Sequence, residues 1–89
     1  MTSIDRGHDV RGHLRVFLRN NFLYLSPQRE LHDDEDLLAR GLVDSLGVVE
    51  LVERVQHQFH VHVDDDEITR ANFGSVDGMV RFVTEKRAR

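Results

Sequence analysis

The chain contains no cysteine, no tryptophan and a single proline, Pro27. Without cysteine there is no disulfide framework, no thiolate metal site and no cysteine nucleophile. No apolar run approaches the roughly 20 residues that cross a bilayer. The opening MTSIDRGHDV lacks the apolar segment of a secretory signal. These absences lead us to expect a cytoplasmic protein without membrane insertion. Its 89 residues suffice for one domain over 1–89, with a core at roughly 9–86 and flexible ends. A domain of that size has little stability to spare for a deep, pre-organised cavity.

The net charge of -4 conceals an uneven distribution. Residues 30–67 hold twelve acids opposed only by Arg40 and Arg54, whereas each flank carries five basic residues against two acids. An acidic middle does not suit a nucleic-acid surface, because phosphate contacts need clustered Lys and Arg. It suits a solvated face, or one that meets basic patches on protein partners.

Hydrophobic spacing organises the rest. Val10, Leu14, Phe17, Leu18 and Phe22 recur at helical intervals. Ser26-Pro27 breaks that pattern, and the polar stretch to Asp36 reads as a long surface loop. Leu37, Leu38, Leu42 and Val43 would pin its later part to the core. The spacing of Val48, Leu51, Val52, Val55 and Phe59 predicts a second helix over 45–59. Asp64, Asp65 and Asp66 favour the start of a short third helix, with Ile68 turned inward and a stop near Asn72-Phe73-Gly74. Ser75 then reads as the N-cap of a last helix that buries Val76, Met79, Val80 and Val83. His60-Val61-His62-Val63 alternates like a strand but has no partner, so an extended connector is expected. The fold class is all-α: a small bundle of three main helices plus one short helix, with a long first loop.

Ser45, in GLVDSLGVVE, admits several chemistries. A hydrolase nucleophile elbow needs Gly-x-Ser-x-Gly on a strand-to-helix turn. Gly47 fits, but Val43 stands at the first glycine position and no sheet is predicted. No histidine is obviously placed for a triad either. His57, His60 and His62 are close in sequence, yet the second helix ends between them, so they read as a surface cluster without a metal. Calcium loops starting at Asp33 or Asp64 would put Leu38 or Thr69 where glycine is required. Ser45 is also a physically sound helix N-cap. Leu46, Val49, Glu50, Glu53 and His57 form a second stripe on the helix, opposite the core stripe. Apolar residues rimmed by acids on an outward face suggest a contact surface. A phosphodiester on Ser45 would meet free amides and the favourable end of the helix dipole.

Asp44-Ser45-Leu46 resembles the attachment motif of the acyl and peptidyl carrier proteins. The likeness runs over 36–83, through LLARGLVDSL, a helix ending at Phe59, the acidic turn VDDDEI, and NFGSV opening a last helix. Upstream, VRGHLRVFLRNNFLYL is similar to the first helix of stand-alone carriers. The resemblance implies an acyl-carrier-like fold and a non-catalytic, monomeric carrier. In it Ser45 holds a covalent 4'-phosphopantetheine from coenzyme A, flanked by Asp44 and Leu46. A phosphopantetheinyl transferase would attach the arm, a loading enzyme would charge its thiol with an acyl or aminoacyl thioester, and condensing or transferring enzymes would unload it. Leu46, Val49, Glu50, Glu53 and Ile68 are then the partner-facing residues. Gly47 stands where fatty-acid carriers have an acid, and Gln56 and His57 make the end of the helix less acidic. With Gly41 and NFGSV, this brings the chain nearer to discrete carriers of specialised pathways (polyketide, nonribosomal peptide or related) and to D-alanyl carriers, a D-alanyl or a housekeeping fatty-acid carrier being the lesser alternatives. A helical interaction module in which Ser45 is only a cap is the rival reading.

Overall fold

A computed structural model describes residues 6–88, whose regular elements are all helical, with no strand among them. The helices are α1 (Arg6–Phe22), α2 (Ser45–Phe59), α3 (Arg70–Phe73) and α4 (Val76–Ala88), with a 3-10 turn at Asp65–Glu67. This is the expected bundle of three main helices and one short one. The flexible ends expected from sequence fall mainly on residues outside the described range.

Each long helix buries most of the stripe its spacing predicts, while Phe17, Phe22 and Val48 are only partly buried and pack against the edge of the core. Val10, Leu14 and Leu18 of α1 are buried, and α1 packs chiefly against α4. On α4 the buried set is Val76, Met79, Val80 and Val83, joined by Phe82, whose ring meets that of Phe73 at 5.4 Å. From α2 come Leu51, Val52, Val55 and Phe59. Full burial of one such side chain stabilises the fold by about 1.5–3 kcal/mol before its ordering cost is counted.

The first loop is held by plugs and by charge. Leu31, Leu37 and Val43 are buried, with Leu42 packed beside them. The Leu37 N–H donates to the Gly74 carbonyl at 2.8 Å, and the Leu42 and Val43 amides donate to the Leu37 carbonyl. Asp33 fastens the loop to two helices. Its carboxylate accepts from Arg11 at 2.8 Å and Arg15 at 2.5 Å on α1, and its carbonyl accepts from the Asp77 N–H on α4 at 2.9 Å. Glu35, a buried acid in this loop, accepts from Arg29 at 2.9 Å and from the His32 N–H at 2.8 Å. A buried carboxylate needs such donors to offset its lost hydration.

The third helical segment differs from expectation. It divides into the 3-10 turn and α3, and Ile68 between them is 39% exposed rather than inward. Two local caps cause the division. Glu67 folds back to accept from the Asp64 N–H at 2.9 Å, and Thr69 then caps α3 by accepting from the Asn72 N–H at 3.2 Å. A residue between two caps belongs to neither helix, and Phe73 supplies the apolar anchor instead. Ser75 caps α4 as expected, accepting from the Gly78 N–H at 3.0 Å. His60 ends α2 in the left-handed conformation, φ 58°, and the connector after it is tied back by Val63 N–H to Gln56 Oε1 at 2.9 Å.

Candidate functional site

The sequence places an aspartate and a serine side by side where α2 begins, and either can cap a helix. Asp44 takes that position. Its backbone is extended and its Oδ1 accepts the Gly47 N–H at 2.8 Å. Ser45 is therefore the first residue inside the helix and not its cap, a correction to the capping role read for it. The Ser45 side chain is exposed and makes no hydrogen bond among the described residues. Its oxygen is thus open to a reactant from solvent. Beside it, the first-turn amides left over by helix geometry and the positive end of the helix dipole favour an anion.

The outer face of α2 follows the second stripe. Leu46 is 75% and Val49 55% exposed, and Glu50, Glu53 and His57 are exposed beside them. Ile68 is exposed too, but on the separate segment between the 3-10 turn and α3. Asp44, Ser45, Leu46, Val49, Glu50 and Glu53 therefore share one helix end and one face, and Ile68 does not belong to that helix.

Two features of the site escape the sequence pattern. Gly47 is buried against Phe22 and Val43, so the last residue of α1 is seated on the first turn of α2. A groove of about 490 Å³ also lies between the two helices, lined by Phe17 and Asn21 from α1 and by Glu50, Glu53, Arg54 and His57 from α2. Arg54 lies over the Phe17 ring at 4.6 Å from its centroid. The signal for the first feature is an unexplained glycine in a helix's first turn. The groove has no local signal, because it depends on how α1 and α2 are set side by side.

The family model described as "Phosphopantetheine attachment site" matches residues 21–83. The D-alanyl carrier protein of Streptococcus sanguinis is 37% identical over 54 residues, covering 61% of this chain and 68% of that protein. The D-alanyl carrier protein of Streptococcus thermophilus matches with the same identity and coverage. That of Streptococcus uberis is 38% identical over 52 residues, covering 58% of this chain and 66% of its own length.

Proposed function

The chain belongs to the phosphopantetheine attachment site family, and from that premise we propose that Ser45 is the residue that bears the arm. Membership implies a covalently attached 4'-phosphopantetheine and a non-catalytic carrier role. When bound, the group supplies a thiol on which cargo rides as a thioester. The residues present fit it: Ser45 offers a hydroxyl unengaged among the described residues at a helix N-terminus, where a phosphodiester is favoured. That free hydroxyl is the observation that carries the assignment.

The chain's own residues would act by presentation. Asp44 fixes the start of α2, and so the direction in which Ser45 Oγ faces solvent. Leu46 and Val49 offer apolar anchors, and Glu50 and Glu53 steer basic partner surfaces by charge that salt screens. Ile68 adds an exposed apolar contact from the neighbouring segment. The partners are a phosphopantetheinyl transferase, a loading enzyme and downstream condensing or transferring enzymes. We place the protein in the cytoplasm, in a specialised biosynthetic pathway. A second reading, D-alanyl transfer, is favoured by the names of the relatives above.

Mass spectrometry after incubation with coenzyme A and a broad-specificity phosphopantetheinyl transferase tests the assignment. A single phosphopantetheine is expected on the wild type and none on Ser45→Ala. An unchanged wild-type mass would leave the helical interaction module as the better reading.

A further inference from the structure

We propose that the groove between α1 and α2 receives the loaded end of the arm, and that Glu50, Glu53 and Arg54 recognise an α-aminoacyl thioester there. The proposal rests on Ser45 as the attachment residue. Three observations carry it. The first is position. Ser45, Val49, Glu53 and His57 succeed one another at four-residue intervals, which makes a single ridge along α2. That ridge starts at the attachment hydroxyl and ends in the groove, which Glu53 and His57 line. From Ser45 to Glu53 the rise is about 12 Å, and to His57 about 18 Å. Pantoyl, β-alanyl and cysteamine units in series are long enough to lie along it.

The second observation is unused bonding capacity. Glu50 and Glu53 line the groove, and neither has an ion-pair or hydrogen-bond partner among the described residues. Arg54 lies four residues after Glu50, an arrangement that ordinarily favours an ion pair on a helix. It instead rests on the Phe17 ring and forms no ion pair or hydrogen bond among the described residues. Both signs of charge therefore line one open groove without pairing with each other. An α-aminoacyl thioester is the complementary solute, because its ammonium adjoins its carbonyl. The carboxylates can accept from the ammonium while the guanidinium donates to the carbonyl oxygen. A simple acyl chain offers nothing to the carboxylates.

The third observation is size. The open groove has a volume of about 490 Å³, room for a small cargo laid along the surface. Asn21 lines it from α1, and its side-chain N–H donates to the Phe17 carbonyl at 2.9 Å, which leaves its oxygen to accept from an amide of the arm.

The test uses the full chain, loaded enzymatically from alanyl-coenzyme A and, separately, from propionyl-coenzyme A, which has no ammonium. Mass spectrometry first establishes the gain on each sample. Nitrogen-15 NMR then follows the Asn21 side-chain amide and the Arg54 Nε–H. The alanyl form is expected to displace both resonances relative to the propionyl form. Loaded Glu50→Gln/Glu53→Gln should lose that difference while keeping the shifts around Ser45. Identical groove resonances for the two cargoes, or shifts confined to residues 44–47, would overturn the groove proposal and leave the attachment intact. Failure to gain mass removes the attachment reading, and the groove proposal with it.

Discussion

Phe22 and Gly47 claim the same space: a Cβ on Gly47 would stand 2.8 Å from Phe22 Cε1 and equally near Val43 Cγ1. The contact seats the end of α1 on the turn of α2 that contains Ser45. Glycine at this point is therefore a packing requirement as well as a missing acid. Gly47→Ala gains roughly 1 kcal/mol of helix propensity but incurs overpacking of about 1–3 kcal/mol. A net loss of about 1 kcal/mol is expected. In a Phe22→Ala background the loss should shrink, because only Val43 still opposes the added methyl. Urea denaturation of the four proteins measures the coupling, which should exceed about 0.5 kcal/mol. Strictly additive effects would show that the ring does not dictate the glycine.

The division of labour between Asp44 and Ser45 gives a second expectation. Asp44→Ala removes the bond to the Gly47 N–H and should cost about 0.5–2 kcal/mol, while Asp44→Asn keeps most of the stability. Ser45→Ala should change stability by less than about 0.5 kcal/mol, since that hydroxyl bonds to nothing among the described residues. It should nevertheless abolish phosphopantetheine attachment. Thermal melts of the three variants check this. Equal destabilisation by Ser45→Ala and Asp44→Ala would move the cap back to the serine.

These two positions show where sequence was informative. Apolar periodicity located α2 and its core stripe of Leu51, Val52, Val55 and Phe59, because a 3.6-residue repeat is a local property. The outward set Leu46, Val49, Glu50 and Glu53 followed from the same repeat. Ser45 was singled out by its motif, and the structure leaves its hydroxyl without a partner among the described residues. Choosing between two adjacent capping residues was not legible, since Asp and Ser compete almost equally. Nor was the burial of Gly78, where a Cβ would lie 2.2 Å from the Ala71 carbonyl oxygen. That constraint belongs to the approach of α3 to α4, which no single segment encodes. Ile68 was misplaced because consecutive caps at Asp64 and Thr69 overrode a continuous helical spacing.

Acid should loosen the first loop. Burial works to raise the Asp33 carboxyl, but the hydrogen bonds from Arg15 and Arg11 outweigh it and hold it below its ordinary value of 3.8. The bond from Arg29, opposed by burial and aided by the His32 N–H, holds Glu35 below 4.5. Both folded values lie below the unfolded ones. Their stabilisation is therefore complete above the unfolded-state values and is lost as pH falls through the folded ones. Melting temperature should be level in this respect from pH 7 to about 5.5 and decline below about 4.5. Asp33→Asn/Glu35→Gln should melt lower at pH 7 and fall less steeply in acid. A variant whose acid slope matches wild type would exclude these two carboxylates as the cause.

The two faces of α2 should separate stability from docking. Leu51 is wholly buried, so Leu51→Ala should cost about 2–5 kcal/mol, through lost transfer energy and the cavity left behind. Leu46→Ala, at a side chain 75% exposed, should cost less than about 0.5 kcal/mol. Glu50→Lys/Glu53→Lys should likewise preserve the helical circular dichroism, since neither acid has an ion-pair or hydrogen-bond partner among the described residues. What it should change is encounter with the transferase. At low ionic strength attachment should slow by about tenfold, and the difference should narrow as salt screens the steering field. Stopped-time mass spectrometry at two salt concentrations reads both effects. A salt-independent defect would assign the acids to direct contact in the bound complex instead, and an unchanged rate would remove them from the docking face.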